Sequence, residues 1–414
     1  MTWRKVQLRR LVDCLDSRRI PLNKEERSAI QGQVPYWGAG GILDYVNQAL
    51  FNEPLVLLGE DGAPFFTAGK DVAYYIEGPA WINNHIHALR PTAADGRFLT
   101  YALNSVDYSN FITGSTRDKL TQEDLKNIEV PQPPLSEQRR IADFLDAETT
   151  RIDDIRATME RLTARLSERR TAGIIAAVSG TEQSKRRESS LPWIDTLPEH
   201  WQEVRVGLVA RMGSGHTPSR SRPEWWTNCY IPWITTGEVS QVRDDRQEEI
   251  RTTRERISDL GLANSSAEIC PAGTVVLCRT ASAGYSAVMA TAMATSQDFV
   301  TWTCSPKLNP YYLLWCLRAM RQDLLGRLAM GSTHKTIYVP DLQMLRIPLP
   351  PIQEQSEIVE AIRNQNQRID RLLDSLSRQR DLLNERRQAL ITAAVTGQID
   401  VSTASGRGIE EGLS

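Results

Sequence analysis

Polar side chains that could contact a nucleobase cluster in the stretch WINNHIHALR, which starts at Trp81. Asn84 and His85 are neighbours in it, and an Asn side chain can make two hydrogen bonds to the edge of adenine. A histidine inside an apolar run is more often a core residue whose hydrogen bonds are satisfied within the protein. Two interpretations therefore stay open for Asn84 and His85: contact with a base, or core residues whose hydrogen bonds are satisfied within the protein.

A second candidate is the stretch GSGHTPSRS, which starts at Gly213. It places Thr217, Ser219, Arg220 and Arg222 beside flexible glycines, so hydroxyl and guanidinium groups could approach a phosphate or a groove closely. A solvated loop would have the same composition. We favour contact at Arg220.

Hydroxyl and basic residues recur at matched places in two further stretches. TGST is followed by Arg117 and Lys119, and MGST is followed two residues later by Lys335. Matched placement suggests one shared, sequence-independent task, such as clamping a phosphate or docking a partner. With two further basic residues, the predicted DNA-binding set is Lys70, Asn84, His85, Arg117, Lys119, Thr217, Ser219, Arg220, Arg222, Arg279 and Lys335.

Catalytic motifs were sought and rejected. A DNA amino-methyltransferase needs an Asn-Pro-Pro-aromatic motif; the nearest string, NPYY from Asn309, lacks the second proline and opens an apolar run, which predicts a helix start. Glu60, Asp61 and Lys70 could suggest a nuclease, but GEDGAPF is more typical of a turn between strands. GSGHTP lacks the third glycine of a nucleotide loop. We expect no catalytic residues, no metal site and no cofactor.

Composition describes a globular chain of 414 residues with 49 basic and 51 acidic side chains, so its net charge is −2. A nucleic-acid surface on such a chain must be local or completed by a partner. We expect a cytoplasmic protein without a membrane span, because there is no long apolar run and no apolar secretion signal at the N-terminus. The six cysteines lack metal-ligand spacing and are expected to be reduced thiols.

The strongest signal is an internal repeat. VPQPPLSEQRRIADFLDAETTRID begins at Val130, and IPLPPIQEQSEIVEAIRNQNQRID begins at Ile347. Without a gap, roughly 20 of the 53 positions from Ile128 to Gly180 are identical to those 217 residues later, which marks a duplication.

Each copy predicts a long helix. Two prolines set an extended entry, Ser136 can cap the first turn, and no proline or glycine interrupts the following 36 residues. Apolar residues then recur at heptad spacing from Ile141 to Leu166, and the second copy repeats the register. A lone helix of ~40 residues cannot bury such a seam, so we expect the two copies to pair. Among the basic residues shared by both copies, those expected to dock a partner are Arg169, Arg170, Arg386 and Arg387.

The segments between the helices contain short apolar runs bounded by Gly, Pro and Asn, which predict mixed α/β domains and an α+β chain. The predicted order is a first globular domain at 1–127, a helical region at 128–180, a linker at 181–191, a second globular domain at 192–344, a helical region at 345–397 and a tail at 398–414. The globular segments share little sequence.

This arrangement resembles the DNA-sequence specificity subunit of type I restriction-modification systems. The resemblance covers nearly the whole chain and is strongest in PLSEQRRIADFLD and PIQEQSEIVEAI. VPYWGAGGILDYV, VLLGEDGA and WINNHIHALR are similar to one type of target recognition domain; LPEHWQEV, MGSGHTPSRS and IPWITTGEV are similar to another.

The resemblance implies two recognition domains alternating with two helices that pair as an antiparallel coiled coil with a pseudo-two-fold axis. It also implies double-stranded DNA, two methyltransferase subunits and restriction-translocase subunits as partners, and no catalysis by this chain itself. A different class of function also fits a repeated coiled coil. The alternative is an architectural protein whose globular domains bind other proteins.

Overall fold

The computed structural model describes residues 3–112, 118–330 and 335–401. The chain divides into two compact units. Unit 1 consists of Met1–Arg161 and Leu376–Ser414, and unit 2 is Leu162–Ser375. Each unit therefore contains one globular domain and parts of both repeated segments.

Nine α-helices form within the described residues. In chain order they are α1 Lys24–Ala29, α2 Gly96–Asn104, α3 Gln122–Asn127, α4 Leu135–Val178, α5 Asp259–Ala263, α6 Pro310–Ala319, α7 Arg321–Asp323, α8 Val339–Gln343 and α9 Ile352–Val395.

The two repeated segments form the helices that their pattern predicts. α4 and α9 each span 44 residues, and each starts directly after a proline pair. The prediction of a helix start at NPYY is also confirmed, because α6 begins at Pro310 and the Asn309 side chain accepts the N–H of Tyr311.

Burial along the heptad seam is less continuous than the pattern predicts. Ile141 and Ile152 are 1% and 4% exposed, but Ile155 is 40% exposed. In the second copy Ile369 is 4% exposed, and Leu372, the equivalent of Ile155, is 52% exposed. Heptad spacing predicts which residues share one face of a helix. Whether that face is buried depends on the residues that pack against it. Part of the seam in each copy is therefore left open.

The globular part of unit 1 is built on two four-stranded sheets, an antiparallel one ordered β2-β9-β6-β7 and a mixed one ordered β4-β3-β8-β5. Its strands are β1 Lys5–Gln7, β2 Val12–Cys14, β3 Gln31–Gly38, β4 Gly41–Val46, β5 Phe51–Asn52, β6 Leu55–Gly59, β7 Ala73–Ile76, β8 Pro79–Ile82, β9 Ile86–Pro91 and β10 Glu129–Pro131. Helix α2 buries Phe98, Leu99 and Leu103 in a core that also includes Ile141 of α4 and Ile391 of α9. Both long helices thus contribute to the core of this unit.

Unit 2 has a five-stranded sheet, β14-β21-β18-β19-β16, and a three-stranded sheet, β17-β15-β20. Its strands are β11 Arg186–Glu188, β12 Thr196–Pro198, β13 Gln202–Arg205, β14 Ala210–Ser214, β15 Ile231–Ile234, β16 Glu249–Ile250, β17 Glu255–Ile257, β18 Val275–Cys278, β19 Ser286–Met289, β20 Ala294–Thr295, β21 Phe299–Cys304, β22 Ala329–Met330, β23 Thr336–Ile337 and β24 Arg346–Leu349. Helix α6 is buried along most of its length, and its core includes Val178 of α4 and Val359 of α9.

Each globular domain is closed by a pair of strands at its two ends. β1 pairs antiparallel with β10 in unit 1, and β13 pairs antiparallel with β24 in unit 2. The next contact is repeated as well: Leu8 N–H donates to Ile128 O at 2.8 Å, and Val206 N–H donates to Leu345 O at 2.9 Å. The two domains therefore share one frame although their sequences differ.

The polar segment expected to be a linker is partly ordered by pairing. Strand β11 pairs with β12, and the Arg186 side chain donates to Thr196 Oγ1 at 2.9 Å. None of the helices in the described residues combines the length and the hydropathy that a membrane-spanning helix needs.

Candidate nucleic-acid interface

In unit 1 the structure brings together Asn84, His85 and Lys119. Asn84 and His85 lie in the turn between β8 and β9, and the His85 carbonyl oxygen accepts the N–H groups of Glu60 and Asp61 at 3.0 and 3.3 Å. Lys119 forms an antiparallel bridge with Asp61. Asn84 and Lys119 are exposed, and His85 is partly exposed. An amide, an imidazole and an ammonium group thus share one edge of the domain.

Hydrogen bonds hold this turn in place from within. Asn83 is 7% exposed; its N–H donates to Trp37 O at 3.0 Å, and its Oδ1 accepts the His85 N–H at 3.1 Å. His85 Nδ1 lies 3.3 Å from Asp61 Oδ2, and Lys119 Nζ lies 3.5 Å from Glu60 Oε1. Asn83 is therefore a structural residue, while Asn84 faces solvent.

A buried polar network lies directly behind the turn. His87 is fully buried, with Nδ1 2.6 Å from Asp16 Oδ2 and Nε2 3.1 Å from Leu120 O. Arg19 donates to Glu60 at 2.7 Å and to Ile86 O at 2.8 Å. Both ring nitrogens of His87 therefore lie within hydrogen-bonding distance of an oxygen atom.

Asp16 is the centre of this network. Burial by itself would raise the pKa of Asp16, but the hydrogen bond and charge of His87 and the Ala88 N–H lower the pKa to about 2. Asp16, Glu60 and His87 are close enough to resemble a metal-ligand cluster. The Arg19 guanidinium is bonded to Glu60 and lies 3.3 Å from Asp16, and His87 bonds Asp16 directly. The cluster is thus satisfied as an ion-pair network that supports the turn.

In unit 2 a second set of predicted residues meets around Gln297. Thr217 Oγ1 donates to Gln297 Oε1 at 2.5 Å, and Arg279 Nε donates to Gln297 O at 3.0 Å. Lys335 comes close in the same region, because Ile337 N–H donates to Arg279 O at 2.8 Å. Lys335 Nζ lies 3.4 Å from Leu325 O. Thr217 and Arg279 therefore meet at Gln297, and Lys335 lies two residues before the strand residue that bonds Arg279.

Arg220 is held separately, by Trp226 and by residues of strands β15 and β17. Its guanidinium donates to Glu255 at 2.7 Å and lies over the rings of Trp226 and Trp233, 4.8 and 5.9 Å from their centroids. These contacts give Arg220 a part in fixing the loop. Ser219 and Arg222 are exposed in the same loop; Ser219 Oγ lies 2.8 Å from Ser221 Oγ, and Arg222 lies 3.8 Å from Glu224.

Two members of the predicted DNA-binding set are placed differently. Lys70 is exposed and follows Gly69, which packs against Asn384 of α9. Arg117 lies outside the described residues.

The four arginines predicted to dock other subunits fall into two kinds. Arg169 and Arg386 are exposed. Arg170 is bonded to Asp370, and Arg387 makes two hydrogen bonds to Asp71 at 2.8 and 2.9 Å. Arg170 and Arg387 thus have partners inside the chain, while docking at Arg169 and Arg386 stays a prediction.

Two repeated glutamines, Gln138 and Gln355, have a role that no sequence pattern predicted. They are 2% and 0% exposed. Gln138 Oε1 accepts the N–H of Asp95 at 2.8 Å while its Nε2 donates to Pro133 O. The only sequence signal for these two glutamines is that the same residue stands at the same position of both copies.

Gln355 makes the same connection in unit 2. Its Oε1 accepts the N–H of Asn309 at 2.8 Å, and its Nε2 donates to Pro350 O at 2.9 Å. Asp95 and Asn309 are the N-caps of α2 and α6. Each glutamine therefore joins the start of a long helix to the N-terminus of a domain helix.

Together, the duplicated frame and the dissimilar domains define a class: a chain with two different polar recognition surfaces, each built on the same helical support. A family model described as the type I restriction modification DNA specificity domain matches residues 1–163 and 198–390. The chain belongs to this family.

Comparison with individual relatives gives partial and full-length matches. The Haemophilus influenzae chain S.HindORF215P is 33% identical over 140 residues, which are 34% of this chain and 35% of that one. The MjaIX specificity subunit of Methanocaldococcus jannaschii is 25% identical over 195 residues, 46% of this chain and 43% of the relative. These segments cover less than half of those relatives. The EcoDI specificity subunit of Escherichia coli is 20% identical over 422 residues, 96% of this chain and 88% of the relative.

Solved structures share the fold. A chain from a study of complex assembly and conformational transition of the type I R-M system superposes with a TM-score of 0.68 at 19% identity, covering 96% of this chain and 98% of that one. The HsdS subunit from Thermoanaerobacter tengcongensis gives a TM-score of 0.52 at 18% identity, covering 96% and 97%.

Proposed function

We propose that this chain is the DNA-specificity subunit of a type I restriction-modification assembly. Each globular domain reads one half of a bipartite, asymmetric target in double-stranded DNA. The observation that carries the proposal is that two domains with unlike polar surfaces are joined to two copies of one helix by the same glutamine contact. Two different domains on duplicated helices are expected to bind two different half-sites. Two identical domains would be expected to bind a palindromic site. Family membership favours this function over an architectural coiled-coil protein.

In unit 1 the exposed turn supplies the reading surface. Asn84 is placed to bond a base edge, and Lys119 to contact a phosphate. In unit 2 the surface around Gln297 supplies Thr217, Arg279 and Lys335. The network of Asp16, Arg19 and His87 keeps the unit 1 turn rigid, so binding need not pay to order it.

Antiparallel pairing of α4 and α9 is part of the proposal, and a reciprocal pair of contacts supports it. In unit 2, Arg170 of α4 bonds Asp370 of α9. In unit 1, Arg387 of α9 lies 4.0 Å from Asp153 of α4. Arg387 and Asp370 are the repeat equivalents of Arg170 and Asp153, so the same contact occurs with the copies exchanged. Such reciprocity is expected for an isologous, pseudo-two-fold interface.

Close packing supports the pairing as well. Within unit 2 a side chain at Gly173 of α4 would collide with Gln365 of α9. Two sequences identical in both copies thus have a physical explanation: Arg-Ile-Asp at 151–153 and 368–370 contributes the aspartate of the reciprocal contact, and Glu-Arg-Arg at 168–170 and 385–387 contributes the arginine.

The helices are also proposed to dock two methyltransferase subunits and the restriction-translocase subunits. They are common to both halves, and Arg169, Arg386 and the apolar residues Ile155 and Leu372 are exposed on them. An exposed apolar residue on an otherwise polar helix suits a protein contact. We place the assembly in the cytoplasm, where its DNA substrate lies.

Catalysis is assigned to the partners. The experiment incubates the purified chain with unmodified target DNA and a labelled methyl donor, with and without its methyltransferase subunit. We expect methyl transfer in the complete mixture and none by the chain itself. Methylation or cleavage by the pure chain would overturn the assignment.

A further inference from the structure

Charge is reversed between the two copies at several positions, and at one of them both side chains bond the globular domain of their own unit. Asp146 of α4 is replaced by Arg363 at the equivalent position of α9, 217 residues later. The neighbour one turn earlier keeps its sign, as Asp143 and Glu360. Each of the two reversed residues bonds the domain of its own unit.

In unit 1 the domain presents a cation to the helix. Arg97 Nη1 lies 2.8 Å from both Asp143 Oδ1 and Asp146 Oδ2. Tyr101 donates its hydroxyl to Asp146 Oδ1 at 2.8 Å. Arg97 is the second residue of α2, two positions after the N-cap Asp95.

In unit 2 the domain presents a carboxylate instead. Arg363 donates two hydrogen bonds to Glu248 Oε2, from Nε at 3.0 Å and from Nη2 at 2.7 Å. Trp315 Nε1 donates to Glu248 Oε1 at 3.0 Å. Tyr311, two positions after the N-cap Asn309, occupies the place of Arg97, and Arg363 lies 4.6 Å from the centre of its ring.

We propose that these contacts are a charge key that assigns each recognition domain to its own helix. The inference rests on the proposed function, because it treats the domains as exchangeable modules. A first domain moved onto α9 would place Arg97 against Arg363, and a second domain moved onto α4 would place Glu248 against Asp146. Both arrangements juxtapose like charges and leave a partner unpaired, so specificity comes from rejecting the wrong match as well as from the right one.

The two ion pairs of the charge key differ in how much they are expected to stabilise their units. The side chain of Glu248 is 15% exposed and that of Arg363 is 37% exposed, whereas those of Arg97 and Asp146 are 35% and 41% exposed. Exposed ion pairs contribute little, and a two-pronged, partly buried pair contributes more. The second domain therefore discriminates more strongly against the wrong helix.

The first arm of the test reverses charges within the full-length chain. Asp146→Arg and Arg363→Glu each lower the melting temperature by several degrees, and the larger drop occurs with Arg363→Glu. The reversed pairs Arg97→Asp/Asp146→Arg and Glu248→Arg/Arg363→Glu recover at least half of the loss. Matched controls are Glu160→Arg and Arg371→Glu, which reverse exposed charges on the same helices and leave the melting temperature unchanged.

The second arm transposes the domains, exchanging residues 5–131 with 202–349. With the helices unchanged, the transposed chain melts below the natural one or fails to fold. Adding Asp146→Arg and Arg363→Asp raises its melting temperature or its folded yield. If the transposed chain melts at the same temperature with and without the two helix substitutions, the charge key is overturned. If neither transposed chain folds, the reversed pairs of the first arm decide the question. A failure of those pairs to recover the melting temperature then overturns the charge key. Melting temperature and folded yield are measured without DNA. A failure of the proposed function would be seen in a different measurement, as an absence of DNA methylation by the assembly of the natural chain with its methyltransferase subunit.

Discussion

Gln355 Oε1 accepts the main-chain N–H of Asn309 at 2.8 Å, which joins the start of the second long helix to the cap of a domain helix. The Gln355 amide nitrogen donates to Pro350 O and Lys307 O at 2.9 and 3.0 Å. Since Gln355 is fully buried, water cannot replace these bonds. The side chain is therefore a joint between helix and recognition domain.

Replacing this joint should destabilise unit 2. Gln355→Leu keeps the size of the side chain but leaves two carbonyls and one N–H without their partner, at a cost of about 1–3 kcal/mol in the free energy of unfolding. Chemical denaturation measures the loss. The matched control is Gln353→Leu, since Gln353 is exposed on the same helix and should change little. Equal effects of both variants would contradict the joint.

The buried Asp16 predicts a specific dependence of stability on acid. Its pKa falls from 3.8 to about 2 on folding, so its contribution is complete above pH 4 and is lost as the pH falls towards 2. A shift of this size is equivalent to about 2 kcal/mol. Asp16→Asn should therefore be less stable at neutral pH, and its unfolding free energy should change less between pH 4 and pH 2. An unchanged acid slope would show that Asp16 does not carry this term.

The turn in unit 1 predicts two different kinds of DNA defect. Asn84→Ala should relax recognition at one base and cost about 1–3 kcal/mol of binding. Lys119→Ala should weaken binding uniformly and reduce the salt slope by about 1. Lys126→Ala, an exposed lysine on α3, is the control. Binding of the assembled complex to target variants at several salt concentrations separates these outcomes, and an unchanged preference in Asn84→Ala would exclude base reading there.

Charge reversal on the helices separates docking from folding. Arg169→Glu and Arg386→Glu should reduce the number of methyltransferase subunits bound and leave the melting temperature unchanged, because both residues are exposed. Arg387→Glu should lower the melting temperature, because its side chain is 10% exposed and paired with Asp71. Native mass spectrometry of the complexes counts the bound subunits. Full assembly by both exposed-site variants would place docking elsewhere.

How much of this could be read from the sequence depends on whether a signal is repeated along the chain. The duplication predicted both long helices, and the string NPYY predicted the start of α6, because proline entry, periodicity and capping are local. The duplication also showed that Gln138 and Gln355 are equivalent residues, but it did not predict which residues they would bond. Asp95 lies 43 residues before Gln138, but Asn309 lies 46 residues before Gln355, so the correspondence is hidden by unequal domain lengths.

Other features depend on tertiary contacts that no local pattern contains. The heptad pattern identified a helix face but not that Ile155 and Leu372 would be open. The flexible loop around Arg220 predicts a DNA contact, but the sequence does not show that Glu255 and the rings of Trp226 and Trp233 hold its guanidinium. Whether Arg220 also touches DNA stays a prediction.

The most direct test of the central claim is single-molecule sequencing of genomic DNA from cells that express this chain with its methyltransferase subunit. One bipartite, asymmetric methylated motif is expected, and replacing residues 1–127 with the first domain of another family member should change one half of it and keep the other. A palindromic motif, or a change in both halves after the replacement, would contradict one half-site for each recognition domain.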